Sequence, residues 1–210
     1  MGTIKKGILG GFSGKVGNVV GASWKGIAYM RSLPQKVSNP RTELQRMQRG
    51  KMATVVKFIR PMLVALRIGW KLYANKQSAF NAATRYTLDN ALVGTYPDYS
   101  IDHTKVLVSR GPLPPAIEPS AYSEAMQANY NWDVCEGLGA ANDKVMLVVL
   151  NPTKEEAVVS SLENVREDCH ASVKLPTYWA DDEVLCYMSL ISEDGSEVSN
   201  SSFAGIINVA

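Results

Sequence analysis

Residues 144–160 have the sequence KVMLVVLNPTKEEAVVS, and this stretch decides the fold class. Two runs rich in β-branched and apolar residues, at 144–150 and 156–160, flank the polar segment NPTK. Asn and Pro favour turns, and a short turn between two such runs is typical of paired β-strands. The stretch therefore predicts two neighbouring strands in a region dominated by β-structure.

The same pattern continues through the second half of the chain. Short β-rich runs alternate with turn clusters such as LPTYWADD and SEDGSE. Seven short strands without a helical period predict an immunoglobulin- or fibronectin-III-like β-sandwich over residues 101–210. The predicted strands lie near 105–109, 127–134, 144–150, 156–160, 170–174, 184–192 and 203–209.

The first half of the chain predicts about three helices. Asn39 or Thr42 can cap the first, and Thr42 with Gln45 forms a capping-box pattern. This helix is expected to run to about residue 59, where Pro61 interrupts it before a second helix, and Ser78 is the expected cap of a third. The apolar side of the first helix is predicted to carry Leu44, Met47, Val55, Phe58 and Ile59.

A glycine-rich segment precedes the helices. The sequence KKGILGGFSGKVGNVVGASWKG at 5–26 predicts an arm over 1–15 and a hairpin of 16–24 with 27–33 around Lys25-Gly26. A phosphate-binding loop is disfavoured because Leu9 and Val16 occupy motif positions that need glycine and a hydroxyl. A glycine-zipper helix stays a minor alternative. The residues predicted to serve assembly are Gly7, Gly10, Gly14, Gly17, Gly21, Trp24 and Gly26.

Charge is distributed unevenly along the chain. Residues 1–100 hold sixteen Lys and Arg against three Asp and Glu, a formal charge of +13. Residues 101–210 hold six against seventeen, a formal charge of −11. This polarity predicts two domains, a basic one at 1–100 and an acidic one at 101–210. The opposite charges either neutralise each other within one chain or attract neighbouring copies.

The predicted first helix has a basic face formed by Arg46, Arg49, Lys57 and Arg60. Such a face can follow the phosphates of a nucleic acid, although a solvated helix surface is the commoner explanation of four charges. Nucleic acid is therefore a possible partner.

The sequence offers little for catalysis, and the protein is expected not to be an enzyme. His103 follows Asp102, and His170 follows Cys169. Because adjacent residues on a strand point to opposite faces, neither couple forms a ready-made catalytic pair. The spacing of Cys135, Cys169 and Cys186 fits no zinc motif, and three reduced thiols are expected. No cofactor, metal, membrane span or small-molecule substrate is predicted.

Several runs carry a family resemblance, chiefly IKKGILGGFSGKVGNVVGASWKGIAYMRSLP, NPRTELQRMQRGKMATVVKFIRP and GTYPDYSIDHTKVLVSRG. Over essentially its full length the chain resembles an uncharacterised Bacteroidota family, a domain of unknown function of about this size. The resemblance implies a basic N-terminal region followed by a β-sandwich, and it implies no catalytic residues. A weaker N-terminal likeness is to small structural proteins of phage-like gene clusters.

These observations favour a non-enzymatic structural protein that self-assembles into a filament, ring or particle. Complementary halves would meet head to tail, and the N-terminal strand or arm would be exchanged between copies. Nucleic-acid binding through the basic half is the alternative, and recognition of a protein or glycan by the sandwich is a third. The apolar run ILGGF is too short for a signal peptide, so the location is expected to be cytoplasmic by default. Extracellular or virion-associated locations would follow from assembly or unconventional export.

Overall fold

The computed structural model describes residues 2–4, 11–24, 27–35, 39, 41–75, 77–134, 137 and 139–210. They form a mixed α and β fold, mostly strands in several sheets, with one long helix. The chain divides into two compact units, Met1–Thr42 (unit 1) and Glu43–Ala210 (unit 2). The domain boundary predicted near residue 100 does not coincide with this division.

Unit 1 is a four-stranded antiparallel sheet in which neighbours in sequence are neighbours in space. The predicted hairpin around residues 25–26 forms, with Trp24 paired to Ile27. The single strand predicted over 16–24 is wrong, because Gly17 and Asn18 make a tight turn between Val16 and Val19. A two-residue Gly-Asn connection between β-rich runs is itself a hairpin signal. The strands are β1 (Thr3–Ile4), β2 (Phe12–Val16), β3 (Val19–Trp24) and β4 (Ile27–Ser32).

Unit 2 begins with α1 (Glu43–Ile59), α2 (Leu63–Gly69) and α3 (Ala79–Asn90). Pro61 lies in a 3-10 turn that separates α1 from α2. The Ser78 hydroxyl accepts a hydrogen bond from the Asn81 amide at 3.1 Å, so the predicted cap of α3 is confirmed. Leu44 was expected on the buried side of α1 but is 77% exposed, since burial in this helix begins only at Val55.

In the part of the chain that the structure describes, nine strands follow the helices, and six of them lie where the sequence predicts them. The strand predicted at 105–109 is wrong, because a 3-10 turn occupies His103–Lys105 and no strand follows it there. The strands are β5 (Leu92–Thr95), β6 (Asp98–Ile101), β7 (Ile117–Glu124), β8 (Gln127–Asp133), β9 (Lys144–Asn151), β10 (Glu156–Val159), β11 (His170–Lys174), β12 (Glu183–Ile191) and β13 (Ser202–Asn208).

Two antiparallel sheets organise unit 2, with strand orders β10-β9-β12-β13 and β11-β8-β7. Strand β9 is buried on both faces. Met146, Val148 and Leu150 contact the core shared with the helices. Val145, Leu147 and Val149 contact the core between the two sheets. Unit 2 therefore has three layers, which are the helices and the two sheets. The basic helices before residue 100 and the acidic strands after it share one of its cores.

Candidate assembly surface and basic helix face

Three glycines of the predicted arm and hairpin lie in or beside β2 and β3. Gly14 pairs with Gly21 across these strands. Gly17 forms the β2–β3 turn with φ of +54°, a conformation that glycine adopts without steric cost. The backbone of Trp24 ends β3. The predicted residues Gly7, Gly10 and Gly26 lie outside the described part of the chain.

Gly21 lies against Phe12, and the contact leaves no room for a side chain. A Cβ on Gly21 would lie 2.1 Å from the Phe12 carbonyl oxygen and 2.7 Å from its ring. Only glycine fits this position without displacement of β2. The tight contact at Gly21 is therefore made with the backbone of Phe12, a residue of the same chain.

Strand β4 is an open edge of the sheet. All six of its residues are exposed, with Met30 70% and Ile27 68% accessible. The amide of Leu33 donates to the Asn18 carbonyl at 2.7 Å. Hydrogen-bonded pairs alternate along an antiparallel ladder, so the backbone groups of Ala28 and Met30 point away from β3. We call this row of backbone groups, which have no hydrogen-bond partner among the described residues, the β4 edge.

Both faces of the unit 1 sheet carry exposed apolar side chains. Val16, Val19 and Met30 share one face, and Ile27 and Tyr29 share the other. Among the unit 1 residues whose burial the structure describes, Gly21 alone is buried. Since a small sheet needs an apolar face packed against another surface to be stable, these faces are surfaces that a partner can cover.

Unit 1 is uniformly basic. Its sequence contains seven Lys and Arg and no Asp or Glu. Lys15 and Arg31 lie on the same sheet face as Ile27 and Tyr29, because both align with Val20 in the register of the strands. This face combines positive charge with apolar area, which suits an acidic protein surface.

The predicted basic face of α1 forms, but part of its charge is neutralised within unit 2. The side chains of Arg46, Arg49, Lys57 and Arg60 are all exposed. The Lys57 Nζ lies 3.1 Å from the Glu155 Oε1 in the β9–β10 turn. One positive charge of the basic half is therefore paired with one negative charge of the acidic half inside the same unit.

An apolar pocket of about 190 Å³ lies beside this ion pair. Its wall includes Phe58 and His103, whose rings stack with centroids 5.3 Å apart. Burial lowers the pKa of His103, and the charges of Asp102 and Glu183 oppose this shift without reversing it. The other lining residues are Thr54, Lys57, Pro61, Ile101, Leu150, Pro152 and Glu155. In this lining the Thr54 hydroxyl donates to the Gly50 carbonyl at 3.1 Å, and the Lys57 amine is held in its ion pair with Glu155.

Sequence reasoning identified the hairpin but missed what its last strand presents to solvent. Residues 27–32 read IAYMRS, with apolar residues at both odd and even positions. A strand with one face on a core alternates apolar and polar residues, and this one does not. The lack of alternation was the available signal for a strand exposed on both faces.

Among the described residues, no three His, Cys, Asp or Glu side chains converge as a metal site. None of the described helices has the length and apolar character needed to cross a membrane.

The fold defines a two-unit protein of mixed α and β structure, dominated by antiparallel sheets. The chain belongs to the Family of unknown function (DUF6266), whose profile matches residues 11–205. The predicted membership of an uncharacterised family is thereby confirmed, whereas the Bacteroidota origin and the likeness to phage-like structural proteins stay predictions. No curated protein matches the chain.

Proposed function

We propose that this protein is a non-enzymatic structural protein that self-assembles by pairing the β4 edge with a second copy of the chain. The observation that supports this most directly is the exposure of all six β4 residues beside a row of free backbone groups. Natural proteins protect such edges with charges, proline or a covering element. β4 has one charged residue, Arg31, and no proline.

Charge favours a head-to-tail arrangement of the copies. Unit 1 contains no carboxylate, whereas residues 101–210 carry a formal charge of −11. A basic surface on one copy that meets an acidic surface on the next forms a heterologous contact, and repetition of that contact produces a ring or a filament. The assembly should therefore weaken as salt screens these charges.

The strand order of unit 2 supports the fibronectin-III-like interpretation of its sandwich. Sheets of four and three strands pack through one core, as in seven-stranded immunoglobulin-type domains. In this proposal the sandwich supplies the acidic surface that receives unit 1 of the neighbouring copy.

The decisive experiment compares Met30→Pro with Met30→Ala. The Met30 amide points to the open edge, so proline removes an edge donor without removing a bond to β3. Alanine removes the exposed side chain and keeps that donor. Sedimentation velocity at high protein concentration should show oligomers for the wild type and a marked shift to monomer for Met30→Pro.

The Met30→Ala variant should assemble more strongly than Met30→Pro, because backbone pairing is retained. Val93→Thr, at an exposed position in β5, is the control and should assemble like the wild type. A wild-type protein that stays monomeric at both low and moderate salt would refute the proposal. Electron microscopy of the same samples distinguishes ring, filament and particle.

Nucleic-acid binding is the second candidate, favoured by the exposed arginines of α1. Arg46→Glu combined with Arg49→Glu should abolish a gel shift of DNA or RNA that weakens with salt. Glu43→Gln, at the start of the same helix, should not reduce it. No shift of either nucleic acid at low salt would rule out this function.

A further inference from the structure

Three aromatic rings surround the guanidinium of Arg110 in unit 2. Its central carbon lies 4.7 Å from the ring centre of Tyr73, 5.5 Å from that of Tyr86 and 6.0 Å from that of Trp70. The rings also contact one another, since Trp70 lies 5.7 Å from Tyr73 and 5.5 Å from Tyr86 between centroids. Aromatic faces attract a guanidinium and hold its plane in a defined orientation.

The backbone around this arginine is fixed. The Arg110 amide donates to the Gly69 carbonyl at 2.9 Å, and the Ser109 hydroxyl donates to the Ser199 carbonyl at 2.7 Å. The Trp70 indole donates to the Leu107 carbonyl at 3.2 Å, so the largest ring of the cluster is held as well. The charged group and its aromatic walls are thus preorganised.

Arg110 has no anionic partner among the described residues. It takes part in none of their ion pairs, and its guanidinium donates no hydrogen bond to them. The carboxylate of Asp89, which lines the adjacent cavity, lies 3.8 Å from the Arg85 Nε instead. An oriented guanidinium without a carboxylate has its donors available for an external anion.

The cluster borders a cavity of about 420 Å³ whose other polar lining residues are Gln77, Arg85, Asp89 and Asn90. The Gln77 side chain donates its amide nitrogen to the Tyr73 carbonyl, and Asn90 donates likewise to Tyr86. These bonds leave the amide oxygens as acceptors. The Asp89 carboxylate adds a further acceptor, and the Arg85 guanidinium lies 3.8 Å from it and opposes its charge.

We propose that this cavity, the Arg110 site, binds a small carboxylate that also carries hydroxyl or ammonium groups. Arg110 would bind the carboxylate in a bidentate manner, and the acceptors of Gln77, Asp89 and Asn90 would bind the donor groups. Sugar acids and amino acids have this chemistry. The site lies within unit 2 and does not involve β4, so it is independent of the proposed self-assembly.

Titration with D-glucuronate and L-glutamate tests the proposal. Acetate and D-glucose are the control probes, since acetate lacks the donor groups and D-glucose lacks the carboxylate. The Arg110 Nε–H signal in ¹⁵N NMR and the tryptophan fluorescence report binding. At least one of the first two probes should produce saturable changes in both, and acetate and glucose should bind at least about tenfold more weakly.

Arg110→Lys retains the charge but loses the bidentate fork, so it should weaken binding about tenfold or more. Arg110→Gln should abolish it, with thermal unfolding as the check that each variant is folded. Arg67→Gln, an exposed arginine on α2, should bind like the wild type. The proposal is overturned if neither probe binds below about 10 mM, if Arg110→Gln binds normally, or if acetate binds as tightly as the functionalised acids.

Discussion

Asp143 and Arg166 form a buried ion pair in which the Arg166 Nη2 lies 2.9 Å from the Asp143 Oδ2. The same carboxylate oxygen accepts a bond from the Ala140 amide at 3.0 Å. The Arg166 Nη2 also donates to the Pro114 carbonyl at 2.8 Å, and the Trp132 indole donates to the Arg166 carbonyl at 2.8 Å. The pair therefore joins four parts of unit 2, which are the segment before β7, strand β8, the loop before β9 and the loop after β10.

Asp143→Ala should lower the free energy of unfolding by about 3–5 kcal/mol, because it leaves a buried guanidinium without a counter-charge. Urea denaturation of the two proteins measures this difference. Glu155→Gln is the control, since its ion pair with Lys57 is exposed and its loss should cost less than about 1 kcal/mol. Equal destabilisation by the two variants would contradict the assigned role of the buried pair.

Gly69→Ala should destabilise unit 2 by about 1–3 kcal/mol, and by more if the backbone cannot shift. A Cβ at this position would lie 2.5 Å from both the Ser109 Cβ and the Val108 carbonyl oxygen. Val64→Ala, an exposed change on the same helix, should alter the thermal midpoint little. A Gly69→Ala protein as stable as the wild type would mean that this helix end moves freely away from residues 108–109.

The sequence predicted the strand positions of unit 2 well where turn residues separate the apolar runs. Residues 170–174 form β11 with the predicted bounds. Strand β7 was missed because Pro119 interrupts its pattern, and proline argues against a central strand. The structure accommodates it because β7 is an edge strand, with a register shift between Ile117 and Ser120.

Long-range relationships were less accessible from the sequence. The Arg110 site gathers the segment between α2 and α3, helix α3 itself and the segment after residue 105, which no local pattern connects. The pairing of Lys57 with Glu155 likewise depends on how α1 packs on the β9–β10 hairpin. Charge totals for residues 1–100 and 101–210 could not show it, because they record composition and not contacts.

Stability should fall as the pH drops below about 6.5, because burial lowers the pKa of His103 in the folded state. A group whose pKa is lower when folded binds protons preferentially in the unfolded state. The stabilisation is thus present above the unfolded pKa and is lost as pH falls toward the folded value. Urea midpoints at pH 7.5, 6.5 and 5.5 measure the effect, and His103→Gln should reduce this pH dependence.

His170→Gln is the matched control for that titration, because His170 lies at an exposed position at the start of β11. This variant shows whether the loss of an exposed imidazole by itself changes the dependence on pH. If His103→Gln and His170→Gln changed the slope equally, packing of His103 on Phe58 would not be its source.

The two described cysteines should differ sharply in reactivity. Cys169 is exposed and Cys186 is buried, and burial raises the pKa of Cys186 to about 11. Because the thiolate is the reactive form, a Cys135→Ser variant should show one rapidly modified thiol with a disulfide-exchange reagent such as DTNB. The second thiol should react only as urea unfolds the protein, and adding Cys169→Ser should remove the rapid phase alone. Rapid modification of Cys186 in the native protein would show that the core between the two sheets opens far more readily than its packing implies.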